Sequence, residues 1–263
     1  MVDGPLLQVR SLRKEFGAAV AVDDVSFDID EGGSLAIVGE SGSGKTTVAR
    51  MIVGLLRPTS GTIVACGHDR SQPATGSAER RRRARAVQIV FQDPYSSLDP
   101  RQSGEAAIDE VLALHLGGSA SDRADRVREL GGMVGLDERQ LRAMPKALSG
   151  GQRQRVAIAR ALAAEPRLLI LDESVAALDV SIQAQVLNLL ADIRSATGVS
   201  YLLISHDLAV VRQITDDVLV MRHGQVVERG ATAEVLDHPT HEYTQRLRAS
   251  VPAPGWRPVR RHA

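Results

Sequence analysis

The chain is short of cysteine, aromatic residues and net charge. Of its 263 residues one is cysteine, Cys66, and only 3% are aromatic. A lone cysteine excludes an internal disulfide framework and a thiolate metal cluster, and it suits a reducing cytoplasm. With so few rings, the core has to be built from Leu, Val, Ile and Ala. Lysines plus arginines equal aspartates plus glutamates at 32 each. Whole-chain charge therefore gives no pull toward nucleic acid, and no nucleic-acid partner is expected. No run approaches the ~18 apolar residues of a spanning helix. Residues 1–10 hold no basic segment followed by an apolar one, so no signal peptide is expected. If the protein works at a membrane, other subunits must hold it there.

What is present is enough apolar residue for one large α/β domain, or a core with an inserted subdomain. Segments 6–12 and 20–29 read as strands, rich in β-branched and alternating apolar residues. Residues 35–38 form a short apolar run that stops at a glycine-rich turn. A helix is expected from Lys45 to about Leu56, ended by Arg57-Pro58. After a turn-rich patch at 67–76 comes Arg80-Arg81-Arg82-Arg83 with Arg85, which reads as a solvated arginine face rather than an anion site. A strand at 87–91 precedes a helical block over 93–148. From Arg167 strands and helices alternate: strand 168–171, helix 180–194, strand 201–205, helix 207–214, and strand 218–221 with a hairpin partner at 224–228. That rhythm points to a largely parallel sheet covered on both faces. Residues 252–263, rich in proline and arginine, read as a loose tail.

Gly39-Glu40-Ser41-Gly42-Ser43-Gly44-Lys45-Thr46 matches G-x-x-x-x-G-K-[ST] between a strand and a helix. The glycines let successive backbone N–H groups turn toward phosphate oxygens, and the following helix aims its positive end at the same place. Lys45 would reach the β- and γ-phosphates, and the Thr46 hydroxyl would ligate Mg²⁺. Leu168-Leu169-Ile170-Leu171-Asp172-Glu173 is an apolar strand ending in two carboxylates. Asp172 would orient Mg²⁺, and Glu173 would take a proton from an attacking water. A third element, Leu148-Ser149-Gly150-Gly151-Gln152, stands before a helix expected over 152–163 and is a second anion-facing helix start.

With Leu148 to Gln152 the chain resembles the ABC ATPases, whose signature this is. The resemblance covers nearly all of it, 1–251. It implies a P-loop NTPase (RecA-like) core with a mostly parallel sheet, an N-terminal antiparallel β subdomain and a helical subdomain inserted at about 93–165. It implies ATP and Mg²⁺ as cofactors. Beyond the cradle from Gly39 through Thr46 and Thr47, it assigns Phe16 to stacking on adenine. It assigns Gln92 to the Q-loop beside Mg²⁺, Asp179 to a D-loop (Ala176-Ala177-Leu178-Asp179) crossing to a second subunit, and His206 to the γ-phosphate. Ser149, Gly150, Gly151 and Gln152 would face the ATP of a partner cassette, identical or sister. Two departures stand out: Ser174 where the family usually has proline, and Ala176 where its D-loop usually has serine.

Phe91 to Arg101, Val180 to Leu190 and His238 to Thr244 resemble the ATPases of dipeptide, oligopeptide and nickel importers. That subgroup implies two membrane permeases, indirect service to an extracytoplasmic solute-binding protein, and a place on the cytoplasmic face of the membrane. A permease helix would dock near Gln92 to Arg101, on Tyr95 and Leu98. Peptide is the first expectation for the solute and nickel or a metal complex the second. A non-transport ATPase of the phosphonate-breakdown type and a regulatory module without turnover are the rivals.

Overall fold

A computed structural model describes residues 4–93, 97–176 and 178–249. Pro94, Tyr95 and Ser96 of the extended Q-loop, Ala177 of the D-loop and the proline–arginine tail lie outside the described residues. The chain opens with β1 (Leu7–Phe16) and β2 (Ala19–Ile29), an antiparallel hairpin turning at Gly17-Ala18. After β3 (Ser34–Val38) and α1 (Lys45–Val53) it adds β4 (Ser60–Ala65) and β5 (His68–Asp69) to that hairpin, in the order β2-β1-β4-β5. Helix α2 (Ser77–Ala86) and β6 (Val87–Val90) follow.

Between Val90 and Leu168 the described elements are all helical: α3 (Gly104–His115), α4 (Ala120–Met133), α5 (Glu138–Arg142), a 3₁₀ turn at Pro145–Ala147 and α6 (Gly150–Leu162). Then β7 (Leu168–Asp172), α7 (Val180–Thr197), β8 (Ser200–Ser205), α8 (Leu208–Ile214), β9 (Asp217–Arg222) and β10 (Gln225–Ala231) complete the second sheet. Its order is β10-β9-β3-β8-β7-β6, parallel except for the β9–β10 hairpin. Helices α9 (Thr232–Asp237) and α10 (Glu242–Ala249) close the described chain.

The parallel strands are apolar on both sides because each side has its own core. Leu35, Ile37, Leu168, Ile170, Leu202, Ile204, Leu219 and Met221 face α1 and the antiparallel sheet. Their alternates Ala36, Val38, Leu169, Leu171, Leu203, Val218 and Val220 face α7, α8 and the helical insertion. The two-residue period of a strand divides one apolar run between two hydrophobic layers. Among the described residues no helix is long and apolar enough to cross a membrane.

Several expectations need adjusting. Helix α1 ends at Val53, ahead of Arg57-Pro58, because Gly54 takes a left-handed φ of 88° and its N–H returns to Arg50 and Met51 carbonyls. Strand β4 lies outside the expected strands: only Ile63 and Ala65 of its six residues are buried, too short an apolar pattern to read, and pairing with β1 makes the segment a strand. Leu98, expected on a permease-docking surface, is 5% exposed and belongs to the core beside α3 and α6. A charge there would be buried in the core and cost stability, so a substitution at Leu98 would not isolate coupling.

Candidate functional site

Strand β3 delivers the chain to the sheet's carboxyl edge, and the loop 39–44 turns there against its own strand ends. Gly39 has φ 150°, and a β-carbon on it would lie 2.2 Å from the Met221 carbonyl oxygen. Gly44 has φ 102°, with the Ala21 carbonyl oxygen 2.4 Å from where a β-carbon would be. Any larger residue at either place collides with backbone of β9 or β2. The Gly224 N–H donates to the Ser43 carbonyl at 3.1 Å, so the β9–β10 turn also braces the loop. At Gly44 no side chain caps α1, leaving its first N–H groups open at the loop.

Lys45 is 4% exposed and folds back over the loop, donating at 2.8 Å to both the Gly39 and Glu40 carbonyls. Burial lowers its pKa, opposed by the carboxylates of Glu173 and Asp172. The Thr46 hydroxyl donates to Asp172 Oδ1 at 3.1 Å. Asp172, at the end of β7, is 5% exposed, and burial raises its pKa, with Glu173 adding to the shift. A hydroxyl and a buried carboxylate side by side, with a second carboxylate next in sequence, are hard oxygen donors lacking enough positive charge. That set suits a divalent cation such as Mg²⁺.

Glu173 sits at φ 48°, a left-handed conformation uncommon for a side-chain-bearing residue. Its N–H donates to the Ile204 carbonyl at 2.9 Å, and its carbonyl accepts from Ala176 at 3.1 Å. These bonds hold the turn that the family's usual proline would otherwise fix. Ser174 in that proline's place is 3% exposed, and its hydroxyl is buried without a hydrogen bond. Glu173 Oε2 lies 3.5 Å from Nδ1 of His206, which follows β8 and is largely exposed. Asp207 caps α8 through the Ala209 and Val210 N–H groups and so fixes the turn carrying His206.

The structure thus gathers the loop 39–46, Asp172, Glu173 and His206 at one sheet edge. It does not bring Gln92 into hydrogen-bond contact with them; Gln92 is exposed just after β6. Phe16 is half exposed at the β1–β2 turn, with the Lys14 ammonium 5.0 Å from its ring centroid. Thr47 makes no side-chain hydrogen bond of its own, and Asp179 is exposed at the start of α7. The second helix start differs in state. The Ser149 hydroxyl accepts from Gln152 N–H at 3.2 Å while Gln152 Oε1 accepts from Ser149 N–H at 2.8 Å, a closed capping box. A β-carbon on Gly151 would lie 2.5 Å from Ile182 Cγ2, so that glycine also permits close packing of α6 on α7.

Sequence reasoning missed Tyr243. This residue of α10 is 3% exposed, and its hydroxyl oxygen accepts the Glu40 N–H at 2.9 Å. The Arg222 guanidinium stands 5.1 Å from its ring centroid. Glu228 secures the preceding turn by accepting from the Thr240 N–H and hydroxyl at 2.7 and 2.8 Å. The one available signal was the pattern from His238 to Thr244, which a resemblance supplies and local chemistry does not explain.

The family model described as "ABC transporter" matches residues 22–176. The oligopeptide transport ATP-binding protein OppD of Mycobacterium tuberculosis is 48% identical over 250 residues, covering 95% of this chain and 40% of that protein. The oligopeptide transport ATP-binding protein OppF of Bacillus subtilis is 42% identical over 257 residues, covering 95% of this chain and 83% of its own. The chain therefore spans about two fifths of the mycobacterial relative. Among solved structures, cbiO1 from Clostridium perfringens superposes with a TM-score of 0.80 at 28% identity, covering 90% of this chain and 92% of that one. A dimeric ATP-binding cassette in a post-hydrolysis state, bound to ADP and Pi, superposes at 0.77 and 28%, covering 86% and 98%. A match that runs from β2 through both helix starts to the acidic end of β7, on a cassette architecture shared with solved relatives, makes this chain a member of the ABC transporter family.

Proposed function

We propose that the chain is the ATP-hydrolysing subunit of an ABC importer for di- or oligopeptides, working at the cytoplasmic face of a membrane beside permease subunits. The observation that carries the hydrolytic part is the Glu173–His206 approach of 3.5 Å next to the Thr46–Asp172 contact. The peptide part rests on the relatives named for oligopeptide transport.

In this reading the glycine loop and the open start of α1 bind the triphosphate, and Phe16 stacks on the base. Lys45 exchanges its two carbonyl partners for β- and γ-phosphate oxygens. Thr46, Asp172 and Gln92 hold Mg²⁺, which when bound neutralises phosphate charge. Glu173 accepts the proton of the attacking water, and His206 steadies the γ-phosphate. Ser149 to Gln152 of a partner cassette close over the same nucleotide, and Asp179 lies at that seam. Val180, next to Asp179, is 82% exposed at the same end of α7. Both helix starts then serve the same chemistry, positioning and charge neutralisation with little covalent work.

Glu173→Gln tests the base. The variant is expected to bind ATP as wild type does and to lose phosphate release by about a hundredfold or more. Near-normal release would remove Glu173 from the proton transfer. Co-purification with permease subunits tests the transport role separately.

A further inference from the structure

Within the arginine run at 80–83, Arg80, Arg81 and Arg82 are exposed, as expected of a solvated face, and Arg83 is half-buried. Helix α2 buries none of its residues fully, yet Arg80 and Arg83 line a cavity of about 350 Å³ together with Arg57 and Arg70. Leu56 and Gln72 are among the residues of its wall, and no aspartate or glutamate lines it. Arg70 is 5% exposed; its Nη2 donates to the Arg83 carbonyl at 2.6 Å. The Nε groups of Arg70 and Arg83 are buried without hydrogen bonds. Arg83 is ion-paired through Nη2 to Glu79, whose other oxygen is occupied by the Thr75 N–H and hydroxyl, and its Nη1 donates to the Gln72 carbonyl at 2.7 Å. Arg57 donates to the Gln72 side-chain oxygen. Arg57, Arg70 and Arg80 form no ion pair among the described residues.

Buried guanidinium groups normally face a carboxylate or another anion, because desolvating them otherwise costs several kcal/mol. The carboxyl end of α1 points into this region through Gly54, but a helix end carries only about half a negative charge. Arg70 is the buried arginine of this cavity, Arg83 is half-buried and already paired with Glu79, and Arg57 and Arg80 stand exposed at the rim; their summed charge still exceeds that of the helix end. Their forked donors match the spacing of phosphate oxygens. We propose that this cavity binds a phosphate-class oxyanion, at a site separate from the glycine loop. Helix α1 alone puts about 13 Å between Lys45 and the cavity.

The ligand is either a small soluble phosphate compound or the phosphate of a lipid headgroup. Calorimetric titration of the full chain with inorganic phosphate and with glycerol 3-phosphate, the glycine loop filled by saturating ADP, tests the first. Co-flotation with phosphatidylglycerol vesicles tests the second. Saturable binding of the soluble probes, or flotation without it, identifies the source. In either case Arg80→Ala should weaken binding about tenfold, whereas Arg81→Ala/Arg82→Ala, which removes two solvent-facing charges, should change it by less than about twofold. Arg80 is exposed, so its loss does not threaten the fold. Arg70→Met, if folded, should abolish binding. Failure of every probe to bind overturns the proposal. So does binding that Arg80→Ala leaves unchanged, or that the double control weakens equally.

Discussion

The two helix starts of this cassette are built from similar residues and stand in opposite states. At Gly44 no side chain caps α1, and the loop's lysine waits on two carbonyl oxygens. At Ser149 the capping box consumes the serine hydroxyl and two N–H groups within α6 itself. The first site is open to a phosphate in the isolated chain. The second has to give up internal hydrogen bonds before it can accept one. Each such bond is worth about 1 kcal/mol net, so the exchange is affordable only when a charged group is presented close by. Under the proposed function, the difference suits a machine in which the chain binds nucleotide alone and completes the site only when a second cassette arrives.

The strongest way to break this comparison is to remove the charge from each start. Lys45→Ala should lower ATP affinity of the isolated chain about a hundredfold, through two lost charge-assisted contacts. Ser149→Ala should leave that affinity within about twofold and reduce turnover by about tenfold or more. Fluorescent-nucleotide titration against steady-state phosphate release separates the two effects. Equal loss of binding in both variants would show that the second start already serves the same chain's nucleotide.

A smaller effect concerns why the second start is glycine-rich. Gly151→Val places new atoms against Ile182 and should cost about 1–3 kcal/mol in denaturant unfolding. Adding Ile182→Ala should return part of that loss. Additive losses would mean that the cost of the valine does not come from packing against Ile182.

The open start sits beside a carboxylate whose ionised form burial disfavours. Burial raises the Asp172 pKa above its ordinary 3.8, so ionised Asp172 costs stability in the native state. Native-state stability should therefore fall as pH rises from about 3.8 through the elevated native pKa, and be free of that cost below it. Asp172→Asn should flatten this dependence and stabilise the nucleotide-free chain by about 1 kcal/mol, while removing Mg²⁺-dependent turnover. Thermal melts across pH, with and without the substitution, check the sign.

The mildest expected change is at Tyr243. Tyr243→Phe keeps the ring beneath Arg222 and loses only the acceptor for the Glu40 N–H. An ATP affinity lowered about fivefold, with kcat nearly unchanged, is expected from one lost hydrogen bond. Unaltered affinity would make the tyrosine a packing residue of α10.

Local chemistry made the glycine loop, the acidic end of β7 and the Ser149 helix start readable. Each is a short run of residues whose backbone freedom, charge and order carry the meaning. The alternating strands were legible for the same reason, since a two-residue period is a property of consecutive positions. Other features were settled by residues far apart in sequence. Pairing with β1 makes 60–65 a strand, and a left-handed glycine stops α1 before its proline. The core claims Leu98, and a hydroxyl 203 residues away takes the Glu40 N–H.

By itself the sequence determined where a glycine-rich loop before a helix and paired carboxylates at a strand end occur, because those features are written in neighbouring residues. The tertiary structure alone decided which of the two helix starts is open, that Arg70 is buried while Arg80 to Arg82 stay exposed, and that Tyr243 supports the loop. Each of these depends on which distant atoms compete for the same hydrogen bond or the same dry space, and that competition exists only once the chain is packed.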